Sequence, residues 1–95
     1  MNMINFIGRD EETITKMVFI YTVALKIEKG IEDEGIPTEI EGEISRVADV
    51  LLEFKIDNYP NEEIDADGIS EFMTELLFSR FDQGVIQETF ELINV

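Results

Sequence analysis

Cysteine, histidine and tryptophan are absent from the 95 residues, and only seven lysines and arginines stand against 22 acids. Without cysteine there are no disulfides and no thiolate metal sites. Without histidine, the commonest general base and the imidazole metal ligand are missing. The opening MNMINFIGRDEE lacks a basic stretch followed by an apolar run and a small-residue cleavage site, so no signal peptide is predicted and a cytoplasmic location is expected. Spanning a bilayer takes about 20 predominantly apolar residues. The most apolar run, Lys16 to Ile27, is shorter and flanked by charge.

A formal charge of −15 opposes association with nucleic acid, anionic membranes and acidic ligands, and favours encounter with basic surfaces. Acidity also serves solubility alone. A halophile's solvating surface leans on Asp, Ala and Val, whereas this chain has fourteen Ile and three Ala. An apolar fraction of 44% is enough to build a core, which argues against disorder, and the length suits one acidic helical domain over residues 1–95.

The run KMVFIYTVALKI organises the rest. It is bounded by turn signals from about Thr13 to Lys29 and is too long for a typical strand despite the β-branched Val18, Ile20 and Val23. A helix over about 10–29 is therefore predicted. Asp10 or Thr13 is placed to cap its start. Asp10, Glu11 and Glu12 suit the positive end of the helix dipole, and Lys26 and Lys29 suit the negative end before Gly30. Met17, Phe19, Ile20, Tyr21, Val23, Ala24 and Ile27 do not fit one stripe of an amphipathic helix. The helix is thus expected at the centre of a bundle, with a homodimer interface drawn from Met17, Phe19, Ile20, Tyr21, Val23 and Ala24.

Ile40, Ile44, Val47, Leu51 and Phe54 fall at helical spacing, with Ala48 and Leu52 widening the stripe, and predict a second helix over about 38–56. Gly42 costs about 1 kcal/mol there relative to alanine and is expected to mark a close helix crossing. The outer face carries Glu39, Glu43, Arg46 and Glu53. Ile69, Phe72, Met73, Leu76, Leu77 and Phe81 predict a third helix over about 67–81, stopped by Asp82 to Gly84. Ile86, Phe90 and Ile93 support a short fourth helix over about 85–94. The expected fold is all-α, a small bundle of three to four helices around the apolar first one. Met3, Ile4, Phe6 and Ile7 make residues 1–8 an apolar arm suited either to staple onto the first helix or to pack as a short strand, and loops are expected at 31–37 and 57–68.

Three stretches or residue sets of the sequence bear on metal binding or catalysis. In DADGIS, aligning Gly68 with the invariant glycine of an EF-hand puts Ser70 at the aliphatic position and Thr74 at the bidentate Glu position, so a turn and helix cap fits better. VADVLLEF, Val47 to Phe54, resembles a fragment of the all-α nucleotide pyrophosphohydrolases of the MazG type. That resemblance implies Mg²⁺ held by ExxE and ExxD carboxylate pairs on facing helices. Here Arg46 stands three residues before Asp49 and the first helix offers only Glu28 and Glu32, so the ligand set is incomplete. Ser45, Ser70 and Ser79 have no histidine to activate them. No cofactor is implied, and the chain is expected not to be an enzyme.

The acids are unevenly placed. Residues 56–79 hold Asp57, Glu62, Glu63, Asp65, Asp67, Glu71 and Glu75 with no Lys or Arg, and residues 28–43 include Glu32, Asp33, Glu34, Glu39 and Glu43 with Lys29 as the one cation. Glu71 and Glu75, like Glu39 and Glu43, are one helical turn apart and repel. These residues are expected to form an acidic surface that binds and inhibits or regulates a basic protein, in the limiting case as a nucleic-acid mimic in the groove of a nucleic-acid enzyme. In charge and size the chain resembles small phage-encoded inhibitors of restriction enzymes and CRISPR effectors. The alternative is an assembly chaperone or toxin-immunity protein whose contact surface is the apolar first helix.

Overall fold

The apolar run is helical throughout, in α1 (Asp10–Lys29). The computed structural model describes residues 10–31, 37–58, 60 and 66–93, and the first eight residues, as well as most of the two expected loops, lie outside them. Thr13, Ile14, Met17, Ile20, Tyr21, Ala24 and Leu25 are buried and recur at three- and four-residue steps, which makes one broad stripe. Phe19, with 53% of its surface exposed, points the other way. Met17, Ile20, Tyr21 and Ala24 therefore do share a face, and the outer apolar surface of α1 is narrower than its composition suggests. Thr13 lies inside the helix with 1% exposure, so it does not cap the start.

The end of α1 follows from Gly30. Its φ of 71° is left-handed, a conformation that favours glycine. It lets the Gly30 amide donate to the Ile27 carbonyl and the Ile31 amide donate to the Lys26 carbonyl at 2.9 Å, the two bonds of a Schellman motif. Ile31 then packs against the core.

Three further helices surround α1: α2 (Thr38–Asn58), α3 (Ala66–Arg80) and α4 (Gln83–Ile93). The Pro37 carbonyl accepts from the Ile40 and Glu41 amides at 3.0 Å each, which starts α2. Asp82 caps α4, its Oδ1 accepting from the Val85 amide at 3.0 Å. α1 packs against all three, most extensively along α2 and α4, and α3 also meets α4. The central position expected for α1 is thus the observed one.

The core joins Met17, Tyr21, Leu25, Leu51, Ile69, Met73, Leu77, Phe81 and Ile86. Two details of α2 differ from expectation. A Cβ added at Gly42 would meet nothing within 4 Å, so no close crossing occurs there. Leu52 is 43% exposed while its neighbour Leu51 is fully buried, so Leu52 falls off the stripe. Of the DADGIS segment, Ala66 to Ser70 are helical and open α3, with Ile69 fully buried. Among the described residues there is no strand, and no helix is long and apolar enough to cross a membrane.

Candidate functional site

The buried stripe of α1 brings Tyr21 under the seam between α2 and α3. Its hydroxyl donates to Glu43 Oε2 at 3.2 Å, and the same carboxylate accepts from the Arg80 guanidinium at the end of α3. The Tyr21 ring meets Phe81 edge-on, with centroids 5.3 Å apart and planes at 61°, and Arg80 reaches over the Phe81 ring at 6.0 Å. Burial pushes the Tyr21 phenol up to about 12, with Arg80 opposing and Glu43 adding to the shift. A phenol moved away from neutrality is a poorer acid–base group, so the cluster is suited to joining three helices rather than to proton transfer.

Further along the seam, Phe54 stacks on Phe72 with centroids 4.4 Å apart and planes within 14°. Glu43 meets Arg80 while Phe54 meets Phe72, so α2 and α3 run antiparallel. Glu43 is therefore not a surface group. It was expected beside Glu39 on the outer face, but it sits one turn from both Ile40 and Val47 and turns inward, where its side chain keeps 19% exposure.

Most of the exposed acids of these two helices form two rows. On α3, Asp67, Glu71 and Glu75 are successive at four-residue steps and all exposed. On α2, Asp49, Glu53 and Asp57 repeat the same spacing, also exposed. Glu39 is exposed near the start of α2, separated from that row by Arg46. Asp49 and Glu53 were missed as site residues, although their spacing from Asp57 carried the signal. Glu32, Asp33, Glu34, Glu62, Glu63 and Asp65 lie outside the described residues.

The expected self-association surface is mostly internal. Met17, Ile20, Tyr21 and Ala24 are 0–4% exposed, Val23 is half-buried, and Phe19 alone of the six is well exposed. Other exposed apolar side chains are Val50, Leu52 and Ile56 on α2, Phe78 on α3 and Leu92 on α4. Among the described residues no group of three or more carboxylates is placed to hold a metal ion. Arg46 and Asp49 are both exposed. Comparison with protein-family models, with curated proteins and with solved structures finds no match.

Proposed function

We propose that this chain is an inhibitory or regulatory protein that binds the basic surface of a nucleic-acid-binding protein through the acidic face of α2 and α3. The observation that supports this is the pair of carboxylate rows, Asp49–Glu53–Asp57 and Asp67–Glu71–Glu75, on two antiparallel helices that touch through the Phe54–Phe72 stack and the Glu43–Arg80 pair. A four-residue step along a helix advances about 6 Å, so two rows together supply one charge per about 3 Å. A single nucleic-acid strand carries one phosphate per about 3.4 Å of axis. Summed along a common axis, the two rows have about the linear charge density of a single strand and about half that of a duplex.

The rows cost stability. Each like-charge pair one turn apart is unfavourable by about 0.2–0.5 kcal/mol. A rigid scaffold that carries this cost presents a field that steers basic partners and is screened by salt. The alternative, a chaperone or immunity protein that contacts its partner through α1, draws on side chains most of which are spent in this chain's own core.

The test is retention. The immobilised chain is exposed to an extract of its native cells at low salt, and the retained protein is challenged with single-stranded nucleic acid. The proposal predicts a basic nucleic-acid-binding protein that is displaced by the strand and lost with Glu71→Lys/Glu75→Lys, but kept by the charge-matched Glu12→Lys/Glu41→Lys, at exposed acids outside both rows. A partner that survives both high salt and reversal of the α3 row would rule it out.

A further inference from the structure

The α3 row does not end in polar surface. Phe78 lies three, seven and eleven residues beyond Glu75, Glu71 and Asp67, and therefore on the same face of α3, where half of its surface is exposed. It forms one wall of an open groove of about 520 Å³ between α3 and α4. Ile86 and Phe90 make the apolar floor, and Gln83, Gln87 and Glu91, at four-residue steps along α4, make the opposite rim. Gln87 Nε2 donates to Glu91 Oε2 at 3.4 Å, which ties together two of the three polar side chains of the rim.

We infer that this groove anchors an apolar side chain of a cationic amphipathic helix from a partner protein, whose Lys and Arg residues lie along Asp67, Glu71 and Glu75. Charge selects this occupant. Between residues 66 and 93 the one cation is Arg80, and it is held by Glu43 on α2, whereas Asp82, Glu88 and Glu91 add to the acids of the row. The groove is within the size range of pockets that bind small ligands, about 300–1,000 Å³. From Asp67 to Phe78 is about 16 Å along the helix, or three turns of a partner helix laid beside it. A second copy of this chain brings a further −15 to the same surface and is disfavoured. The inference rests on the acidic-face reading and adds to it the site and chemistry of an apolar anchor.

The test uses the full chain and a synthetic Lys-rich amphipathic peptide carrying leucine at one end, with a serine-for-leucine version as control. Phe78→Ser should weaken leucine-peptide binding about tenfold or more, at low and high salt alike, and leave the serine peptide unaffected. Gln87→Arg, an exposed rim substitution that spares the fold, should weaken the peptide as well. Glu71→Lys/Glu75→Lys should weaken both peptides, and chiefly at low salt. Phe78→Ser and Gln87→Arg variants that bind like the parent chain, while the glutamate variant is weakened, would overturn the groove and leave the acidic-face reading standing. If the glutamate variant also binds like the parent, both fall. A dimer mass without peptide that Phe78→Ser returns to monomer would show a second copy in the groove and overturn the inference.

Discussion

Glu43 takes the Tyr21 hydroxyl and the Arg80 guanidinium on one carboxylate oxygen, joining α1, α2 and α3 at a point where an acid was expected to face solvent. Tyr21→Phe removes the hydroxyl and leaves the ion pair. It should lower unfolding free energy by about 1 kcal/mol, the net value of one hydrogen bond. Glu43→Ala strands a buried phenol and should cost more, about 1–3 kcal/mol. Urea denaturation of both variants checks the order.

The same phenol makes stability depend on alkaline pH. Its value in the folded chain, about 12, lies above the ordinary 10.0, chiefly because burial disfavours the phenolate. The unfolded state therefore releases its proton first, so the Tyr21 contribution is fully present below pH 10 and is lost as pH rises towards 12. Tyr21→Phe should flatten this part of the stability–pH profile. Tyrosinate absorbance in a Tyr59→Phe background should titrate near 12; a midpoint near 10 would contradict the burial.

Two glycines should respond in opposite directions. Gly42 lies in the second turn of α2 with open space around it, so Gly42→Ala should stabilise by up to about 1 kcal/mol. Gly30→Ala forces a Cβ into a left-handed backbone and should destabilise by about 1 kcal/mol. Thermal unfolding of the pair reads both signs.

Adjacent leucines on α2 offer a sharper contrast. Leu51→Ala opens a cavity under a fully buried side chain and should cost about 2–5 kcal/mol, a large share of the 5–15 kcal/mol typical of a domain. Leu52→Ala, at 43% exposure, should stay within about 0.5 kcal/mol.

Much of the fold was legible because the apolar spacing of α2, α3 and α4 is regular and Gly30, Pro37 and Asp82 punctuate the chain where the helices change. α1 was harder. Its outer face carries Phe19 and Val23 among its polar residues, so composition suggested two apolar faces, whereas the three- and four-residue rhythm from Thr13 to Leu25 marks one. The α3 row could be read directly from spacing, and so could Asp49 and Glu53, had they been counted with Asp57. Glu43 was misplaced because its charge outweighed its register, though Ile40 and Val47, one turn away on either side, mark the inner flank. Its pairing with Arg80 and the groove wall formed by Phe78 depend on how α2, α3 and α4 pack, which no local pattern encodes.

The central claim is that partners meet the acidic face of α2 and α3 rather than α1. The most direct measurement is amide chemical-shift mapping of the labelled chain with the basic protein it retains. Shifts are predicted along residues 49–57 and 67–78 and into 83–91, fading as salt is raised. Shifts centred on the outer face of α1 around Phe19, unchanged by salt, would contradict the account.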